Sequence, residues 1–109
     1  MTTWTVPGKV IRVVDADTIN MELDLGWKIK YTVSCRVAGC NAPELSTEEG
    51  QAAKSWALGA LPVGTSVMFV SHSLDKYGRP LGSITMTSAQ GAVYDYASEL
   101  MAAGHAVPM

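Results

Sequence analysis

A chain of 109 residues suits one domain, expected to span residues 1–109, and its 48% hydrophobic, 17% charged composition supports a core and argues against disorder. A formal net charge of -2 argues against attachment to nucleic acid by bulk positive charge, so any such attraction has to be local or metal-assisted. No apolar run approaches the roughly 20 residues of a membrane helix, and the opening MTTWTVPGKV has no basic segment followed by an apolar stretch. The expectations are no membrane, no signal peptide and a cytoplasmic location.

Residues 8–15, GKVIRVVD, are β-branched and aliphatic and read as a strand. Residues 17–24 alternate, with Ile19, Met21 and Leu23 on one side, and Gly26 supplies the turn that follows. Residues 28–38 alternate again. Ile29, Tyr31, Val33 and Cys35 share one face, and Lys28, Lys30, Thr32, Ser34 and Arg36 share the other. The period then changes. Residues 46–61 predict a helix with Ser46 and Glu49 as a capping box, an apolar stripe of Ala52, Ala53, Trp56, Ala60 and Leu61, and Pro62 and Gly64 as its stop. Residues 65–71 and 81–87 predict two strands around the polar turn DKYGRP at 75–80, and SAQG turns the chain. Residues 92–103 predict a second helix closed by Gly104. Three strands, a helix, two strands and a helix give a mainly β chain with two helices. A five-stranded barrel with a helix between strands 3 and 4 is the OB-fold layout.

Cys35 and Cys40 are five apart, which places them on opposite faces of a straight strand and predicts reduced, buried thiols. His72 and His105 are isolated and read as structural or surface histidines.

Four polar features bear on chemistry. Asp15 and Asp17 sit two apart at the end of an apolar run, where like charges on one extended face repel. They form either a solvated turn capped by Thr18 or part of a hard-cation site. Arg36 and Arg79 are either ordinary strand and turn residues or planar forks that clamp one phosphate from two sides. Pro43 stiffens the segment Asn41–Ala42–Pro43–Glu44, which is either a plain turn into the helix or a loop aiming oxygens at one point.

Taken together, the pieces resemble the staphylococcal nuclease-like domain family. The matching stretches are VVDADTI at 13–19, CRVAGCNAPE ending at Glu44, GQAA at 50–53, DKYGRPLG at 75–82 and, more loosely, ELMAAGHAV at 99–107. The resemblance covers about residues 8–107. It implies a calcium-dependent phosphodiesterase on an OB-fold barrel, cleaving DNA and RNA with low sequence preference. It casts Asp17 as a direct Ca2+ ligand, with Asp15 close behind it. Asn41 falls at a metal-ligand position, and Ala42 would lend its backbone carbonyl. Glu44 would activate the attacking water, and Arg36 and Arg79 would bind the scissile phosphate. Tyr77, with Lys76, would lie beside the nucleic-acid chain.

Three departures matter. Asn41 replaces an acid of the family pattern and is expected to weaken calcium binding. Ala42 replaces a hydroxyl residue, and Ala16 replaces a glycine between the aspartates. The chain also stops at Met109, without the long C-terminal helix of the family's best-known member. The expected molecule is a monomeric nuclease without an obligate protein partner, with a phage or mobile-element source as one origin. The alternative is a catalytically weak or inactive OB-fold module that binds nucleic acid or a protein partner.

Overall fold

The alternating residues of the N-terminal half form strands as predicted, and β1 (Trp4–Asp15), β2 (Thr18–Gly26) and β3 (Ile29–Val37) make an antiparallel meander in the computed structural model, which describes residues 4–88 and 90–108. A two-residue strand, β4 (Cys40–Asn41), leads into α1 (Glu48–Ala60). Then come β5 (Ser66–Leu74), β6 (Pro80–Thr87), β7 (Val93–Asp95), α2 (Tyr96–Ala102) and β8 (Val107–Pro108). β5 pairs antiparallel with β1 and with β6. β3 and β6 then meet in parallel, Arg36 opposite Leu81 and Val37 opposite Gly82, which closes a five-stranded barrel. This is the expected OB-fold-like architecture, with α1 between the third and fourth barrel strands.

The inward residues of each strand fill the barrel. Val10, Val13, Ile19, Met21, Phe69 and Ile84 are all buried. The β3–β6 pairing at Arg36 and Val37 closes the end of β3 that would otherwise be an open edge. Closure also forces close backbone approaches. A Cβ on Gly82 would lie 2.1 Å from the Val70 carbonyl oxygen, so glycine is needed where β6 crosses β5.

Several boundaries move. β1 begins at Trp4 rather than at residue 8, because Trp4–Lys9 pairs with Ser71–Ser66 of β5. The helix cap is Thr47 and not Ser46: Thr47 Oγ1 accepts from the Gly50 N–H at 3.0 Å, so the predicted capping box does not form. The buried stripe of α1 is Ala53, Ala57 and Leu61, with Trp56 partly buried and Ala52 exposed. The second helix starts at Tyr96, not 92. The Asp95 carboxylate caps it by accepting from the Ser98 N–H at 3.0 Å, and Val93–Asp95 instead joins β6 as an extra strand. In the expected SAQG turn, the Gly91 N–H donates to the Ser88 carbonyl at 3.0 Å, and Ala89 lies outside the described residues.

The apolar face of β3 is only half used. Cys35 and Val37 are buried, whereas Ile29 and Tyr31 are 52% and 51% exposed, because the β2–β3 hairpin overhangs the core. Cys35 and Cys40 are free buried thiols, as expected. Burial pushes Cys35 up to about 12. Burial also pushes Cys40 up, to about 11, helped by the nearby Asp17 carboxylate. Among the described residues, no helix is long and apolar enough to cross a membrane.

Candidate functional site

The two aspartates meet across a turn and not along a strand. β1 carries an irregularity between Val13 and Asp15, and Asp15 then pairs directly with Thr18, leaving Ala16 and Asp17 as the link. Such bulges re-aim side chains at the rims of barrels. Asp15 Oδ1 accepts from the Asp17 N–H at 3.2 Å, which folds the acidic side chain back over the turn. From below, the buried Tyr96 of α2 donates its hydroxyl to the Ala16 carbonyl. The turn is therefore fixed from the core.

Asp17 is buried and has three kinds of partner. Its Oδ2 accepts from the Ala42 N–H at 2.9 Å and lies 3.4 Å from Arg36 Nη2. The Thr18 hydroxyl donates to Oδ1 at 3.4 Å. Arg36 reaches further. Its Nη1 donates to the carbonyls of Val37 at 2.7 Å and Cys40 at 3.2 Å, and its Nη2 donates to Asn41 Oδ1 at 3.3 Å. One guanidinium thus ties the β1–β2 turn to the loop after β3. Segments about two dozen residues apart in sequence become neighbours.

The electrostatics follow from this packing. Burial would raise the Asp17 carboxyl, but its hydrogen bonds with Asp15, the Ala42 N–H and Thr18, and the Arg36 charge, outweigh that and hold it low. Asp15 takes the other side of the balance. Burial raises it, and its hydrogen bond with Asp17 and that carboxylate's charge raise it further, to about 6.

The loop at Asn41–Glu44 is seated against α1. The Glu44 carbonyl accepts from the Thr47 N–H at 3.0 Å and the Thr47 hydroxyl at 2.7 Å. A Cβ on Gly50 would fall 1.9 Å from that same carbonyl oxygen, so the helix can press this closely only with glycine there. The Glu44 side chain is exposed and makes no hydrogen bond or ion pair among the described residues. A 240 Å³ concavity lined by Asn41, Ala42, Pro43, Glu49 and the Gly104–Val107 segment adjoins the loop. The β4–β8 pairing, Asn41 opposite Val107, forms one wall. Sequence reading missed this ladder. Two-residue strands separated by most of the chain leave no periodic signal.

Arg79 stands apart from that network. Its N–H and the Tyr77 N–H donate to Asp75 Oδ1 at 2.9 and 2.8 Å, and its Nε pairs with Asp75 Oδ2 at 2.7 Å. Lys76 Nζ and the Arg79 guanidinium lie 5.2 and 5.4 Å from the centre of the Tyr77 ring, which is 70% exposed. Strand register relates the two arginines: Arg79 comes two residues before Leu81, the β6 partner of Arg36.

The donor set suits a hard cation in kind. Asp15 and Asp17 offer carboxylate oxygen and Asn41 offers amide oxygen, the ligands calcium takes. The Asp15 carboxyl is raised first by burial and then by its hydrogen bond with, and the charge of, the Asp17 carboxylate. Among the described residues, no three Asp, Glu, His or Cys side chains gather into a metal-binding group, so backbone and amide oxygens would have to complete the shell.

No family model matches the chain. An Escherichia coli protein named Protein ParB is 32% identical over 77 residues, which are 71% of this chain and 40% of that protein. The chain therefore spans well under half the length of this curated relative.

Proposed function

We propose that this chain is a staphylococcal nuclease-like, calcium-dependent nuclease that hydrolyses phosphodiester bonds of DNA or RNA with low sequence preference. The observation that carries the reading is the meeting of Asp17, Arg36 and Asn41: Arg36 Nη2 lies 3.4 Å from Asp17 Oδ2 and 3.3 Å from Asn41 Oδ1. A carboxylate oxygen, an amide oxygen and a phosphate-matching fork share one spot on an OB-type barrel, and the exposed Glu44 follows three residues after Asn41 in the chain.

The chain's own residues suit the chemistry. Asp17, Asn41 and the Ala42 carbonyl would hold calcium, backed by Asp15, and the ion would stabilise negative charge on the phosphate oxygens. Arg36 on β3 and Arg79 in the turn before β6 would offer N–H donors to those oxygens. The exposed Glu44 carboxylate accepts the proton that water loses on attack. Tyr77, with Lys76 and Arg79 near its ring, offers a surface against which a base or sugar can rest.

Plasmid and RNA degradation with calcium, and with chelator, tests the proposal. Calcium-dependent cleavage that Glu44→Gln abolishes is expected, as is tighter calcium binding by Asn41→Asp. A second reading, a non-catalytic OB-fold module, is favoured by the number of internal partners Arg36 holds. Oligonucleotide binding without turnover in any divalent ion, unchanged by Glu44→Gln, would establish that reading instead.

A further inference from the structure

The β2–β3 hairpin tip is built against local preference. Its two loop residues, Trp27 and Lys28, have φ of 53° and 64°, the pattern of a type I′ turn, where Asn-Gly is the favoured pair. A tryptophan is disfavoured there by its Cβ. Yet Trp27 is 96% exposed, so no packing in the fold offsets the strain. Ile29 and Tyr31 beside it are half exposed. Lys30 pairs with Asp24 at 3.1 Å, whereas Lys28 makes no ion pair among the described residues.

We propose that this tip, with Trp27 as the stacking ring, Lys28 as the phosphate contact and Tyr31 alongside, is a second contact for a single-stranded nucleic acid. The proposal rests on the nucleic-acid reading above and extends it to a subsite remote from the scissile phosphate. Charge and shape choose the occupant. An exposed indole next to an unpaired ammonium complements a base next to a phosphate, and such stacking needs only one ring. A protein partner needs roughly 800 Å² on each side, far more than a two-residue hairpin tip presents. β2 runs nine residues from the candidate site to the tip, about 30 Å. That span suits the roughly 4–16 nucleotides one OB barrel covers. Between the two ends, β3 presents the polar row Lys30, Thr32, Ser34 and Arg36 on one face.

The test is fluorescence anisotropy with a labelled, cleavage-resistant phosphorothioate oligothymidylate of about 16 nucleotides, chosen to span both contacts. Trp27→Gly removes the ring and relieves the backbone, so the melting temperature should hold or rise while affinity falls roughly tenfold, within the range for losing one stacked base. Trp27→Phe should keep most of the affinity. A labelled dinucleotide, too short to reach the tip, should bind wild type and Trp27→Gly alike. Equal affinity of wild type and Trp27→Gly for the long probe overturns the tip contact and leaves the nuclease reading standing. Loss by Trp27→Gly of binding to phosphatidylserine vesicles, with oligonucleotide binding unchanged, also overturns it, in favour of a membrane contact. A wild type that cleaves no plasmid and binds neither oligonucleotide overturns the tip and the nuclease reading together.

Discussion

Arg36 on β3 and Arg79 in the turn before β6 carry the same fork, but the protein holds them in opposite ways. Arg36 is largely buried, with side-chain exposure of 13%, and bonds to three backbone carbonyls, those of Asp17, Val37 and Cys40, to the Asn41 amide oxygen and to the Asp17 carboxylate. Arg79 is more open, at 32%, and its ion pair lies within its own turn, four residues from Asp75. One arginine joins segments that are distant in sequence; the other stiffens a loop that is already local. On the proposed function, phosphate binding would be superimposed on a structural role at Arg36 and separable from one at Arg79.

Substituting the two arginines tests that contrast, and the largest effect belongs to Arg36. Arg36→Ala leaves the buried Asp17 carboxylate and several carbonyls without their partner, and should cost about 3 kcal/mol in urea unfolding. Arg79→Ala breaks a part-exposed pair and should cost under about 1 kcal/mol. Both should lose nuclease activity, so Arg79→Ala is the cleaner probe of phosphate binding. Equal stability losses would break the comparison.

Much of this contrast was hidden in the sequence, for a physical reason. The barrel strands were legible because alternation reports burial one residue at a time: Ile19, Met21 and Leu23 face the core as their spacing requires. The Asp75–Arg79 turn was legible because all its partners are local. Arg36 was flagged by its residue type, but its bonds to Cys40 and Asn41 depend on how the loop returns, which no period encodes. The aspartates came together for a reason other than spacing on an extended chain, since a bulge and a tight turn bring them there. Ile29 and Tyr31 share an apolar face with Val33 and Cys35 but are half exposed, because alternation does not reveal where a strand outruns its barrel. The one-residue shift from Ser46 to Thr47 as helix cap was set by the fit of Gly50 against Glu44. The start of α2 was within reach, because Asp95 followed three residues later by Ser98 is a capping pattern.

A smaller effect concerns how each turn is anchored. The Asp15–Thr18 turn hangs from the core through the Tyr96 hydroxyl, whereas the Asp75–Arg79 turn is held by its own carboxylate. Burial keeps the Tyr96 phenol protonated well above neutral pH, so it remains a donor. Tyr96→Phe should preserve the ring packing against Trp56, 5.9 Å away, and cost about 1–2 kcal/mol by leaving the Ala16 carbonyl unpaired. Calcium affinity should fall with it, since the turn carrying Asp15 and Asp17 loosens. A variant that loses stability but keeps wild-type calcium affinity would show that Tyr96 supports the fold without positioning the aspartates.

The smallest effect separates the two regions by pH. Asp75 is held low: burial would raise it, but the N–H groups of Arg79 and Tyr77 and the Arg79 guanidinium prevail, so this carboxylate favours the fold once ionised. Asp15 is the reverse case. Its carboxyl rises from 3.8 to about 6, so the folded protein holds this proton more tightly than the unfolded chain does. The stabilising contribution of that proton is complete below about pH 4 and is lost as pH rises through 6. Above pH 6, ionised Asp15 therefore opposes ionised Asp17. Asp15→Asn keeps an oxygen for the Asp17 N–H and removes the charge. It should be more stable than wild type by about 1 kcal/mol at pH 7.5, a figure discounted because the side chain is only half buried. The advantage should vanish near pH 4. Calcium should reverse the order at pH 7.5, because the ion neutralises in wild type the pair that the variant lacks. Urea midpoints at the two pH values, with calcium and with chelator, measure all of this. A calcium-insensitive difference between the two proteins would mean that the acidic turn is only a strained hairpin.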